Sequence, residues 1–130
     1  MIVKHIFDII GTRREVQDPA GKWISRRLLL KEDEMGFSLH YTIVKEMCEL
    51  QLHYKNHLEA VYCISGEGQL RNLETDEVHK LRSGLLYALN RNEKHLITSK
   101  KEMHMICVFN PPLTGEEVHT EEGSYELLGE

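Results

Sequence analysis

The segment His53-Tyr54-Lys55-Asn56-His57-Leu58-Glu59-Ala60-Val61-Tyr62-Cys63-Ile64-Ser65-Gly66-Glu67-Gly68 decides how the chain is read. It opens on side chains that can bind a ligand: His53, Tyr54, His57 and Glu59. Ala60 to Ile64 follow as an apolar run rich in β-formers. Gly66-Glu67-Gly68 closes the segment, and two glycines supply the backbone freedom of a tight turn. A strand that carries a carboxylate and imidazoles into a pocket has this pattern. An exposed, histidine-rich hairpin has it too, and spacing alone does not separate the two.

The spacing from Glu59 across six residues to Gly66 matches the end of the first cupin motif. His53 stands where that motif has its first histidine. Lys55 replaces the second, so the usual metal set is broken. The second cupin motif contains P-x-G-x-x-H. Here Arg82-Ser83-Gly84-Leu85-Leu86-Tyr87 fills the slot, with Tyr87 in the histidine position. Two degenerate motifs in the right order, about one hairpin apart, point to a small β-barrel.

The rest of the chain agrees. Gly36 to Val44 alternates strictly, with Phe37, Leu39, Tyr41 and Ile43 on one side and Ser38, His40 and Thr42 on the other. Period two marks a strand. Its polar row faces water in a filled barrel and a ligand in a hollow one. Further strands are expected at Met1–Phe7 on an edge, then at Ser25–Lys31, Cys48–Tyr54, Glu59–Ser65, Gln69–Asn72, Val78–Leu81, Leu85–Leu89, His95–Thr98 and Met103–Phe109. Asp8 to Lys22 reads as loop. Turn residues separate the strands, and no long helical period appears. The expectation is an all-β, single-domain, cupin-type barrel of two antiparallel sheets. Residues 110–130 form an acidic tail after Pro111-Pro112, either a lid over a site or a flexible linker.

Composition excludes several classes. A chain of 130 residues fits one domain. Lys plus Arg is 16 against 21 for Asp plus Glu, a formal charge of −5 with no basic patch, so nucleic acid is not an expected partner. Cys48, Cys63 and Cys107 are an odd number without C-x-x-C spacing and read as reduced thiols in a cytoplasmic protein. The start, M-I-V-K-H-I-F-D-I-I, has no sustained apolar core and is not a signal peptide. No run approaches membrane-spanning length. Trp23, Ser25 and Arg27 share one strand face, which suits an inward clamp for a carboxylate. Nothing in its sequence neighbours makes Cys107 a nucleophile.

Segments along nearly the whole chain resemble ectoine synthases. They are W-x-x-x-R-L-L-L from Trp23, G-F-S-x-H-x-T from Gly36, H-Y-K-x-H-L-E-A-V-Y-C from His53, G-x-G at Gly66, Y-A-L at Tyr87 and C-V-F-N-P-P-L-T-G-x-E-V-H from Cys107. The first and last are not general cupin features. The resemblance implies a cytoplasmic, homodimeric hydro-lyase that closes N-γ-acetyl-L-2,4-diaminobutyrate into ectoine, an osmolyte, with loss of water. It implies one Fe²⁺ on Glu59, Tyr87 and His95. It implies a substrate pocket of Trp23, Arg27, Thr42, Tyr54, His57, Cys107 and Phe109, with Glu117 and His119 from the tail and His40 beside them. Asn56 and Asn92 stand where the family usually has histidines, and neither position is an implied ligand. A cupin oxygenase or isomerase, or a non-catalytic ligand-binding cupin, would use the same barrel. The absence of a helix-turn-helix segment disfavours a regulator.

Overall fold

The computed structural model describes residues 1–127. It holds eight strands: β1 (Glu15–Gln17), β2 (Trp23–Leu29), β3 (Ser38–Val44), β4 (Glu49–Leu52), β5 (Leu58–Asn72), β6 (Val78–Arg82), β7 (Leu86–Leu89) and β8 (His95–Asn110). Every pairing is antiparallel. The architecture is the all-β barrel expected.

Two long strands build it. The first half of β5, Leu58 to Ser65, pairs with the second half of β8, Asn110 to His104. The second half, Gly68 to Asn72, pairs with the first half of β8, Ser99 to His95. One layer therefore runs β1-β2-β3-β8-β5-β7 and the other β4-β8-β5-β6. The β5/β8 ribbon belongs to both. Side chains from the two layers meet in one core that includes Trp23, Leu50, Val61, Leu70, Leu81, Leu89, Ile97, Met103 and Phe109.

The ribbon changes layer at Gly66 and Gly68. These glycines do not end a strand, as their turn chemistry suggests; they lie inside β5, at register shifts between Cys63 and Gly68. A bulged strand bends and twists more sharply. Gly66 has φ +104°, and a Cβ there would lie 2.4 Å from the Glu102 carbonyl oxygen. At Gly68 a Cβ would lie 2.4 Å from the Thr98 carbonyl oxygen. The glycines let two backbones cross where no side chain fits. For the same reason the segments expected at His95–Thr98 and Met103–Phe109 are one strand.

Two other expectations are corrected. Met1–Phe7 is not an edge strand. Ile6–Asp8 is a short 3-10 turn, because His5 Nδ1 accepts from the Phe7 N–H and the Asp8 carboxylate accepts from the His5 N–H. The stretch expected as loop contains β1, which pairs with β2 from Glu15↔Arg26 to Gln17↔Ile24.

The tail leaves β8 through a cis Asn110–Pro111 peptide and lies against the barrel. Leu113, Glu117, Ser124 and Tyr125 are buried. The Gly123 carbonyl accepts from the His53 N–H. Residues 128–130 of the expected flexible tail lie outside the described residues.

The strand crossing yields a test. Gly66→Ala combines a disallowed φ with a backbone clash, so it should lower stability by roughly 3 kcal/mol, read as a lower urea midpoint with unchanged m-value. An unchanged midpoint would show that the ribbon relaxes around a side chain there.

Candidate functional site

The register sets the inner wall in rows. Arg27, His40, Cys107, Val61 and Tyr87 are successive cross-strand partners from β2 to β7. Ser25, Thr42, Met105 and Cys63 form the next row, and Ser38, Phe109, Glu59 and Leu89 the row on the other side. Period two keeps all of them on one face. The polar row of β3 therefore points inward: Ser38 and His40 are buried, and Thr42 lines a cavity.

That cavity measures about 30 Å³, room for about two waters. Of the residues that the resemblance implies, Trp23, His40, Thr42, Tyr54, Glu59, Tyr87, Cys107, Phe109 and His119 border it. Tyr125 does too, and no sequence motif announced it. Its ring stacks on His119 at 4.7 Å and on Tyr54 at 5.1 Å, and meets Phe109 edge-on at 5.4 Å. An aromatic residue in an acidic tail was the available signal.

Arg27, His57 and Glu117 do not border the cavity. The Arg27 guanidinium is fully buried behind it. Its Nη1 donates to the Gly115 carbonyl at 2.9 Å, its Nη2 to the Glu117 carbonyl at 2.5 Å, and its Nε to Ser25 Oγ at 3.2 Å. Each nitrogen thus holds one protein acceptor, and three of the five guanidinium N–H groups fasten Arg27 to Ser25 and to the tail. Burial would raise the Glu117 carboxyl, but the Thr114 and Gly115 N–H groups, at 2.8 Å each, hold it below its usual value. It lies 3.9 Å from Arg27 Nη1. His57 stands edge-on to Phe109 and Tyr125.

A metal would need donors with no other partner. Tyr87 Oη and His95 Nε2 are buried and make no hydrogen bond among the described residues. His95 Nδ1 donates to the Glu93 carbonyl at 2.9 Å, which leaves the Nε2 lone pair free. Burial pushes the Glu59 carboxyl up to about 8. Among the described residues no cluster of three His, Cys, Asp or Glu converges. A metal here depends on the Tyr87 phenol as third donor, and the residues fit that requirement. Tyr87 borders both the cavity and the outer groove that reaches His95. The rings of these two residues are 6.4 Å apart.

Electrostatics keep the site uncharged. Burial lowers the pKa of His40, His57 and His95, and takes His119 to about 4. Burial holds Tyr54 and Tyr87 well above the ordinary phenol value. The Cys107 thiol is also raised, first by burial and then by the nearby Glu59 carboxyl, so it is no ready nucleophile.

The profile of the ectoine synthase family matches residues 1–129. This chain belongs to the ectoine synthase family. It is 50% identical over 128 residues to the L-ectoine synthase of Desulfatibacillum aliphaticivorans, covering 98% of each chain. Its structure is similar to the crystal structure of ectoine synthase from P. lautus, with TM-score 0.87 and 48% identity over 98% of this chain and 91% of that one. The Cupin_2 domain of a transcriptional regulator from Enterobacter cloacae shares the fold alone, with TM-score 0.57 and 17% identity over 70% of this chain and 98% of that one.

His119 gives a pH test. The unfolded chain takes a proton near pH 6.5, while folded His119 resists it to about 4. Stability from this group is complete above pH 6.5 and is lost as pH falls toward 4. His119→Gln should flatten part of the stability loss between those values, measured by chemical unfolding at each pH. An identical pH slope in the variant would show that His119 titrates freely.

Proposed function

We propose that this protein is an L-ectoine synthase, a hydro-lyase that closes N-γ-acetyl-L-2,4-diaminobutyrate into the cyclic amidine ectoine with loss of water. The observation that carries this reading is the family match along residues 1–129, together with an aromatic-walled cavity at residues the family segments contain. In the reaction the α-amine attacks the amide carbonyl carbon within one molecule, and the carbonyl oxygen leaves as water. An amide is a poor electrophile, so geometry and polarisation must supply the rate.

The chain's residues supply geometry first. Trp23, Tyr54, Phe109 and Tyr125 wall a narrow space that favours a curled substrate, bringing amine and carbonyl together. The same walls exclude bulk water, which favours dehydration. Tyr54 Oη and His119 Nε2 share a hydrogen bond of 2.8 Å. Both are neutral, and Tyr54 Oη keeps hydrogen-bonding capacity beyond the bond to His119. Glu59, Tyr87 and His95 would hold Fe²⁺, which when bound polarises an amide oxygen and eases its departure. The cavity is too small for an acetylated amino acid while the tail is docked, so residues 110–127 act as a cover that moves for entry.

A homodimer is part of the proposal. The outer face carries Tyr41, Ile106, Tyr62 and Leu86 as consecutive partners across β3, β8, β5 and β7, with Leu39, Val108 and Ala60 in the next row. Tyr62 is 48% and Leu86 62% exposed. A second copy covering this band would remove a large apolar patch from water. No helix among the described residues is long and apolar enough to cross a membrane. Action in the cytoplasm, on a solute made under osmotic stress, follows from the proposed activity.

Purified protein given the acetylated diamine and Fe²⁺ should yield ectoine, detected by a product lighter by one water. No product with or without iron would overturn the activity. Tyr87→Phe keeps the ring and deletes the oxygen. Iron content and turnover should both fall at least tenfold with the fold intact; retained iron would remove Tyr87 from the ligand set. Light scattering should give twice the monomer mass, and Leu86→Lys should shift it toward the monomer. A monomeric wild type would refute the dimer.

A further inference from the structure

A chain of hydrogen bonds behind the cavity fixes the polarity of one histidine. Arg27 Nε can only donate, and it donates to Ser25 Oγ at 3.2 Å. Ser25 Oγ lies 3.2 Å from His40 Nδ1. Ser25 is buried, and its hydroxyl proton has no other acceptor among the described residues. A buried hydroxyl proton left unpaired is costly. The proton therefore goes to His40 Nδ1, which must be the unprotonated nitrogen. The ring proton is then on Nε2, which is buried and has no partner among the described residues. His40 borders the cavity, so its second nitrogen is a neutral N–H donor with no acceptor among the described residues.

We infer that Ser25 is a positioning residue, and that with Arg27 behind it, it locks His40 as the Nε2–H tautomer that donates to the substrate carboxylate. This rests on the proposed activity only in naming the carboxylate. Register supports that choice of group. His40 sits on β3 and Tyr87 on β7, with β8 and β5 between them in the same row. The two therefore stand toward opposite ends of one inner row. A substrate whose amide end lies toward Glu59 and Tyr87 presents its other end to His40. The buried Arg27 charge behind Ser25 makes that end of the row favourable for an anion. The cation acts through a hydroxyl and a ring, and so it can also hold the tail carbonyls at Gly115 and Glu117.

The histidine ring nitrogens report this directly. Nitrogen-15 spectra of histidine-labelled protein, with His40 assigned by its loss in His40→Gln, should show an unprotonated Nδ1 and a protonated Nε2. A protonated Nδ1 in the wild type would overturn the inference, whether or not the protein turns over the acetylated diamine. Ser25→Ala should mix the tautomers and, for the loss of one oriented hydrogen bond, raise KM about tenfold. Ser25→Thr, which keeps the hydroxyl, should restore both signal and KM. In His40→Gln the side-chain amide donates without help from Ser25, so adding Ser25→Ala should change KM less than twofold. Full additivity of the two substitutions would refute the relay. Substrate should shift the Nε2 signal, while the decarboxylated analogue N-acetyl-1,3-diaminopropane should not; equal shifts would exclude the carboxylate as the acceptor.

Discussion

A guanidinium with no exposure to water is the constraint on which the site depends. Burying a cation costs several kcal/mol unless every donor finds an acceptor. Arg27 recovers that cost from three directions: a hydroxyl on its own strand, and two carbonyls of the tail. The tail must follow one path to present those carbonyls. Once it does, its aromatic groups close the cavity from above. The same fixed charge adds to burial in keeping His40 and His119 neutral. The path of the tail and the roof of the cavity are thus tied to a single buried cation, which adds to what burial already does to His40 and His119.

Polarity on an inner face is the other half of the design. A filled barrel would place apolar side chains at Ser38, His40, Thr42 and Glu59. Here those positions carry polar groups, and among the described residues His40 Nε2, together with Trp23 Nε1, His57 Nδ1, Tyr87 Oη and His95 Nε2, is buried without a partner. Unpaired buried polar groups are uncommon in native structures and cluster where a ligand completes them. Most of those here, Trp23, His40 and Tyr87 among them, lie on the β2-β3-β8-β5-β7 wall; the opposite layer packs Leu50, Leu70, Leu81 and Ile97 and adds His95 at its edge.

Much of this was legible in the chain. Strict alternation in Ser38 to Val44 gave the strand and its two faces, and only the direction of the polar face needed the structure. The Glu59 to Gly66 spacing located the carboxylate correctly on an inner face. It misjudged the glycines, because a residue with free φ serves a bulge inside a strand as readily as a turn between strands. The choice depends on whether β8 passes beneath, which no local pattern reports. Arg27 shows the same limit. Its strand parity predicted burial, but its partners lie in a segment without periodicity. Tyr125 escaped notice because loops that pack through isolated side chains leave no repeat to read.

The hydrogen bonds of Arg27 to the tail span 88 and 90 residues of sequence. Contacts of that separation are slow to form, because closing a long loop costs chain entropy before any contact repays it. β2 has to wait, already paired, for a segment that emerges nearly a whole chain later. A polypeptide leaving the ribosome would hold an unsatisfied arginine and an open, aromatic-lined trough until the segment from Gly115 to Glu117 appeared. Assembly of the barrel and completion of its chemistry are therefore separate events in time, and the window between them is when this protein is most exposed to misassociation.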